Sequence, residues 1–399
     1  MPFFASLRTR FKTALWPLLP AAYRAGRIAL ANPARYPAHV FFEPTTRCNL
    51  GCLHCGRTYW KAREKQRDFS IAMFKKAAAE LREAGVVQLT LQNLGEPLMH
   101  PNIIEVVEFA KSLGFATRFT TNLTLLTPDA AERLVRCGHD EIQASIDSYN
   151  PAVFNDLRRG TSLEKVLANL RMLCETKRRL ASPTPQIRVS AVLMRATLEG
   201  TVEFIAAMKS IGVNAMNFQE LNTDGLDLDT VLQDGSTLRE NALQNVPGDE
   251  LRAALAKIKA CQDKDFPISV PGDWSGRKTP GCQGPGVLTC AELWETSNVD
   301  SAGLVTPCCW LPDGSLITLG DLNTQTFKEI WFGEPYERLR RQHLSNQHPP
   351  FCQRCQQLFY TVAVPSRLTF NRQPVRPYTW VFLRRQKTAG SKAPDVSLS

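Results

Sequence analysis

Between residues 39 and 221 the apolar positions switch repeatedly between two periods. Val40–Phe42 is a short apolar run that reads as a strand end. Ser70 sits where a helix cap is expected, opening a helix to Ala84 that Gly85 stops. Val87, Leu89 and Leu91 alternate as a second strand, and Ile103, Val106, Val107, Ala110 and Leu113 keep helical spacing up to Gly114. Phe115–Thr121 reads as a third strand, followed by Thr127-Pro128, a cap with proline at the first helical position. Glu141–Ile146 is a fourth strand, and Leu163, Val166, Leu167, Leu170 and Leu173 mark the next helix. A fifth strand over 187–194, a helix from about Leu198 to Ile211 and a sixth strand over 213–219 complete the series. Six such β/α repeats predict an α/β fold, a partial (β/α)6 TIM-like barrel, over residues 39–221.

Beyond the barrel the pattern changes. Residues 222–281 lack a sustained period, apart from a helix that Asp249 would cap, and read as a connector. Residues 282–360 are expected to form a small α+β metal-binding domain. Trp294–Asn298 and Leu304–Cys308 read as a hairpin around Asp300–Gly303, and a helix is expected from about Thr326 to Arg341. Residues 1–38 form a basic helical extension, and 361–399 a basic, partly disordered tail.

The candidate chemistry is carried by cysteine. Cys48, Cys52 and Cys55 are spaced C-x3-C-x2-C directly after the first strand. A soft donor set this dense suits zinc or an iron–sulfur cluster. Three ligands are one short of the number a cube-shaped cluster normally takes. His54 lies between the last two cysteines and is poorly placed to complete the set, so one metal position is left for something that reacts. A second group, Cys290, Cys308, Cys352 and Cys355, has four members, C-x17-C and a closing C-x2-C. Spacing alone leaves structural zinc and a fully ligated cluster level for that group. Cys282 and Cys309 are spare, whereas Cys137, Cys174 and Cys261 fall in helical patterns and read as packing residues.

Polar residues fall repeatedly at the carboxyl ends of the expected strands, where parallel β/α barrels place their sites. Gly95-Glu96-Pro97 follows the second strand, Asn122 the third, and Ser145 and Asp147 the fourth. Arg195 follows the fifth, and Gln219 and Glu220 end the sixth, as candidate substrate contacts.

The three-cysteine loop resembles the signature of the radical S-adenosylmethionine (SAM) superfamily. The resemblance implies a [4Fe–4S] cluster on Cys48, Cys52 and Cys55 whose open iron chelates SAM. One-electron cleavage then gives a 5′-deoxyadenosyl radical that takes hydrogen from an unactivated carbon. It also implies cofactor-binding roles for Gly95 and Glu96 toward the SAM amino group, and for Asn122, Ser145 and Asp147 toward its carboxylate and ribose. His54 would stand beside the adenine. Leu94 replaces the first glycine of the usual Gly-Gly-Glu-Pro element. Residues 282–360 are similar to the SPASM/twitch auxiliary domain, which implies one auxiliary [4Fe–4S] cluster on Cys290, Cys308, Cys352 and Cys355. No cysteine follows Cys355, as a second auxiliary cluster would require. No catalytic side chain is singled out.

Charge narrows the partners. The net charge of +10 sits at the ends: residues 1–40 carry six basic residues and no acid, and 361–399 seven basic residues and one acid. The body is close to neutral, which argues against a nucleic-acid groove. Phe3, Phe4, Leu7, Phe11 and Leu15 alternate with Arg8, Arg10 and Lys12, so the N-terminus reads either as a helix packed on the barrel or as one touching a membrane surface. Twelve cysteines without a secretion signal point to a reducing, cytoplasmic setting. The expected activity is a dehydrogenase-like oxidation of a small biosynthetic molecule, fed by a flavodoxin- or ferredoxin-type donor. Peptide or protein maturation is the alternative enzyme reading, and a non-catalytic iron–sulfur or zinc interaction protein the alternative outside catalysis.

Overall fold

A computed structural model describes residues 36–59, 66–223, 226–270, 288–290, 292–311, 314, 317–345, 347–353, 359–362 and 381–384. The N-terminal segment up to residue 35, Cys282, Cys355 and most of the tail lie outside the described residues. The chain divides into a larger unit, Tyr36–Gly276 with Glu295–Gly333, and a smaller one that includes Arg277–Trp294 and Glu334–Ser399.

The larger unit is built on one sheet. Its first strands are β1 (His39–Phe42), β2 (Gln88–Leu91), β3 (Ala116–Thr121), β4 (Glu141–Ser145), β5 (Gln186–Leu193) and β6 (Ala215–Glu220), all parallel and in sequential order. The helices between them are α1 (Ile71–Glu83), α2 (Ile103–Ser112), α3 (Pro128–Arg136), α4 (Pro151–Leu157), α5 (Leu163–Arg179) and α6 (Thr201–Ile211). Most of the expected punctuation is in place. Ser70 and Thr127 accept hydrogen bonds from the first turns of α1 and α3, and Ser162, which was not among the expected caps, does the same for α5. Gly212 ends α6 at a left-handed φ of 100°, which a side chain would resist. Helix α1 turns Met73, Phe74, Ala77, Ala78 and Leu81 inward, and Phe74 meets Phe42 of β1 edge to face at 5.2 Å. This is the amphipathic stripe that fixes a helix on a sheet.

The sheet extends beyond the six expected strands at both edges. The connector is not structureless: α7 (Gly248–Ala260) is followed by β7 (Ile268–Ser269), which pairs in parallel with β6. Asp249 lies inside α7 and does not cap it. Leu232, Leu238 and Ala242 of the connector bury against Leu53, Met194 and Leu221, which follow β1, β5 and β6, and against Leu157 at the end of α4. Counting β8 (Leu288–Thr289) in the smaller unit, the hairpin expected near Asp300 is β9 (Thr296–Val299) and β10 (Leu304–Thr306). It joins the barrel sheet, with β9 parallel to β1 and β11 (Gly320–Asp321) closing the far edge. Strand β1 thereby has a neighbour on each side and leaves no open backbone edge.

The helix expected over 326–341 is broken. α8 (Phe327–Trp331) stops before Gly333, and α9 (Glu334–Leu344) begins the second part of the smaller unit. Thr326 and Glu329 form a reciprocal cap on α8. The backbone N–H groups of Phe327 and Lys328 donate to Glu80 of α1 at 2.9 and 2.8 Å. In the smaller unit, β8 and β13 (Val381–Arg384) flank β12 (Phe359–Val362) in an antiparallel sheet. The strand at Val381 was not expected in a tail read as partly disordered. Its Val-Phe-Leu run has strand propensity that the surrounding basic residues obscure.

Candidate active site and metal centre

The loop that leaves β1 is held from three sides. Gly51 donates to the carbonyl of Arg159 at 3.0 Å and Leu53 to that of Leu157 at 3.0 Å, so the segment after α4 acts as its backbone template. Asn49 donates to Thr124 at 2.8 Å and accepts from Asn122 at 3.0 Å, which ties it to the loop after β3. Glu96 donates its backbone N–H to Arg47 at 2.8 Å from the loop after β2. A Cβ at Gly95 would fall inside the carbonyl oxygen of Thr45, so only glycine permits this approach.

The expected site residues converge on these contacts. The buried Glu96 carboxylate accepts from Thr121 Oγ1 at 2.6 Å, from the Asn122 N–H at 2.7 Å and from the Leu98 N–H at 3.2 Å. Burial pushes this carboxyl above the usual carboxylate range, against the pull of those three bonds. Asn122 accepts from Thr124 through Oδ1 and donates to Asn49, joining the loops after β1 and β3. Ser145 is the last residue of β4, half-buried, and its hydroxyl makes no hydrogen bond to the described residues.

Asp147 is the most enclosed of the set. Its carboxylate accepts from Arg158 Nε at 2.7 Å, Arg158 Nη2 at 3.1 Å and the Val192 N–H at 2.9 Å, with His54 Nε2 at 3.3 Å. Burial alone would raise its pKa, but Arg158 and then His54 hold it below the usual carboxylate range. The buried Arg158 also points Nη1 at Cys52 Sγ, 4.0 Å away. Arg158 was not anticipated from the sequence. It follows α4 in a turn without periodic signal, and only the doubled Arg158-Arg159 marks the place. Glu43 was missed as well: buried at the end of β1, it accepts from Leu94 N–H and Ser301 N–H, both at 3.4 Å.

The donor set suits a metal cluster with three protein ligands. Cys52 is buried, and burial pushes its thiol up to about 12, with Arg158 pulling the other way and the neighbouring Cys55 and Cys48 adding to the rise. A cation bound at such thiols would displace their protons, which pass to solvent, and take the thiolate sulfurs as ligands. Among the described residues no group of three or more His, Cys, Asp and Glu side chains is drawn together as a closed cation cage. His54 is turned to Asp147, and its Nδ1 is buried without a hydrogen-bond partner. It therefore serves the carboxylate rather than completing the thiol set. Of the second cysteine group, Cys290 and Cys352 fall in the smaller unit and Cys308 in the larger, while Cys355 lies outside the described residues. Arg195 meets Glu250 of α7 in a loose, exposed ion pair at 3.6 Å, whereas Gln219 and Glu220 end β6 as expected.

A parallel half-barrel with an open three-thiol loop at the carboxyl end of β1 is the frame of SAM-dependent radical enzymes. The chain belongs to the radical SAM superfamily: that family's model matches residues 42–184, and the SPASM iron–sulfur cluster-binding domain matches residues 290–356. It is a radical SAM enzyme whose cofactors are SAM, a [4Fe–4S] cluster and auxiliary iron–sulfur chemistry in the C-terminal region. Among its relatives is the cofactor-modifying protein of the tungsten-containing aldehyde ferredoxin oxidoreductase from Pyrococcus furiosus, 26% identical over 45% of this chain and 50% of that protein. The AdoMet-dependent heme synthase of Methanosarcina barkeri is 27% identical over 78% of this chain and 86% of its own. The PqqA peptide cyclase of Streptomyces rochei is 24% identical over 76% and 78%. The fold is shared with Streptococcus suis SuiB bound to SAM, with a TM-score of 0.60 at 14% identity over 79% of this chain and 70% of SuiB. No helix among the described residues is long and apolar enough to cross a membrane.

Proposed function

We propose that this enzyme acts on a peptide, taking a hydrogen atom from one of its unactivated carbons. The observation that carries the reading is the similarity to a peptide cyclase along about three quarters of both chains. When bound, SAM and the clusters supply one-electron chemistry and hydrogen-atom abstraction, and the polypeptide supplies position and exclusion of water. In this reading Cys48, Cys52 and Cys55 hold the cluster that binds SAM. Cys290, Cys308, Cys352 and Cys355 hold one auxiliary cluster, and a flavodoxin- or ferredoxin-type protein delivers the electron. Gly95, Glu96, Asn122, Ser145, Asp147 and His54 frame SAM. Glu96 and Asp147 do so chiefly by locking the loops, since protein donors already surround their carboxylates. The thiols, once deprotonated, accept the positive charge of the metal, and Arg158 partly balances them.

The similarity to a heme synthase, at 27% identity over 78% of this chain and 86% of that protein, is somewhat more extensive and supports a second reading, in which the substrate is a small molecule. The expected dehydrogenase outcome keeps only the cysteine spacing in its support, because the relatives that match most of the chain are a cyclase and a synthase. One experiment separates the readings. The reconstituted enzyme is given SAM, a strong reductant and fractions of a fully deuterated cell extract. Deuterium in the 5′-deoxyadenosine is expected from the peptide fraction. Deuterium from the small-molecule fraction alone would overturn the peptide reading in favour of the second.

A further inference from the structure

The two faces of the barrel sheet are packed differently. The helix-facing set, including Phe42, Leu89, Phe119, Ile142 and Val189, is fully buried. The alternate set, turned to the inside of the curl, includes His39, Arg118, Glu141, Gln143, Arg188 and Asn217, and each keeps partial exposure. In a closed β/α barrel this space is filled by branched apolar side chains. Here these positions are mostly polar and partly exposed, with Phe41 of β1 among them, as a substrate wall requires.

Its charges do not cancel. Arg118 on β3 stands directly across from Glu141 on β4 in the strand register, yet the two make no ion pair. Arg118 turns the other way, and its Nε donates to Thr90 Oγ1 at 2.8 Å. Thr90 Oγ1 in turn lies 2.6 Å from His39 Nε2. Glu141 faces Arg188 on β5, with Nη2 3.7 Å from Oε2. Among the described residues, no carboxylate comes within ion-pair distance of Arg118, and its two terminal nitrogens meet no acceptor. His39 contributes no charge at neutral pH, because burial and then the Arg118 charge hold its pKa down to about 3. The wall therefore presents one planar guanidinium fork, braced at Nε and uncompensated at its outer edge, which is the geometry that takes a carboxylate in a bidentate pair.

We propose that Arg118, braced by Thr90 and His39, is the anchor for a carboxylate group of the substrate. The inference rests on the reading that the inner face of the sheet is the substrate site. Arg118 lies three residues before Thr121, which bonds Glu96 at the mouth, so the fork sits on the order of 10 Å below the strand ends. A substrate held there by its carboxylate presents a carbon a side chain or two away to the cysteine loop. For a peptide, this means an acidic residue close to the one that reacts.

The test reads binding without turnover. The reconstituted holoenzyme with SAM is offered two peptide pools of matched sequence, one with Asp and Glu and the other with Asn and Gln at the same places. Retained peptides are counted by mass spectrometry. The wild-type protein is expected to prefer the acidic pool by about tenfold or more, the size of one charged hydrogen-bonded contact. Arg118→Gln should erase that preference, and Arg118→Lys, which keeps the charge but not the fork, should restore part of it. A second arm adds free glutarate or glutaramide as competitor. Competition by glutarate alone supports a carboxylate site, and its ability to displace all bound peptide would mark a small acid as the natural source. No acidic preference in the wild type, or the same preference in Arg118→Gln, would overturn the proposal. If Arg118→Gln does not fold, an undiminished preference in Arg118→Lys overturns it instead. Failure of the wild-type protein to cleave SAM would defeat the proposed function but is read in a separate assay.

Discussion

Replacing Arg158 with methionine tests how the site is held together. The substitution removes the guanidinium and keeps much of its length, leaving the Asp147 carboxylate with the Val192 N–H and His54. Asp147 is wholly buried, and its two bonds to Arg158, at 2.7 and 3.1 Å, are its only contacts with a permanent positive charge among the described residues. Removing one partner of a buried, hydrogen-bonded ion pair costs about 3–5 kcal/mol, because the remaining charge stays out of water. Arg158→Met should therefore lower the unfolding free energy by that amount. The measurement is urea denaturation of anaerobically purified protein, followed by circular dichroism. The same reasoning makes a second, opposite demand. Replacing both partners, Arg158→Met with Asp147→Leu, removes the stranded charge, so the double variant should recover at least about half of the loss. An Arg158→Met variant within about 1 kcal/mol of wild type would mean that the pair is solvated in solution. A double variant as unstable as the single one would show that packing, not charge, sets the cost.

Two further outcomes follow from the thiols and from a buried histidine. Anaerobic reconstitution should load about eight iron and eight sulfide per chain; Cys48→Ala should abolish SAM cleavage while Cys355→Ala spares part of it, and stoichiometric zinc, or equal loss in both variants, would refute the division of roles. His139 is fully buried against Thr117 and Phe119, with Asp140 and Lys111 nearby, and burial lowers its pKa to about 3; the unfolded chain therefore binds the extra proton first, so the stabilisation is complete above about pH 6.5 and falls by up to about 1.4 kcal/mol per pH unit as pH drops toward 3. Urea midpoints measured from pH 7 to pH 4 should show a shallower acid slope in His139→Gln, and an unchanged slope would remove His139 from that account.

The barrel was legible because each of its elements is written locally. Ser70 and Thr127 are caps that the chain announces before α1 and α3, and Leu89 and Leu91 are buried in β2 as their alternation requires, although Val87 of the same set falls just outside the strand and is exposed. The broken helix at Gly333 was less visible, because the apolar spacing runs on through Ile330 and Tyr336 on either side of the break. The joining of β9 to β1 could not be read at all, since strand pairing across 257 residues leaves no periodic trace in either segment. Glu43 belongs to the same class: its partners Leu94 and Ser301 are backbone groups, which any residue could supply.

The site divides along the same line, and the division says what each residue is for. Cysteine spacing is readable because metal ligation demands particular atoms close together in one loop. Glu96 and Asp147 are readable as positions at strand ends, but their environment is not. Once Thr121, Asn122, Arg158 and Val192 are in place, both carboxylates face protein donors, and their work is to hold the loops after β1, β2, β3 and β4 in fixed register. Ser145 has a hydroxyl that no described residue takes up. Arg118 has an outer edge in the same condition. The chain thus spends its buried carboxylates on architecture and leaves a hydroxyl near the mouth and a guanidinium deeper in the curl to meet whatever enters. If Arg118 is the anchor proposed above, recognition falls on the inner wall of the sheet, in residues whose side chains alternate with the core, rather than in the loop that carries the three cysteines.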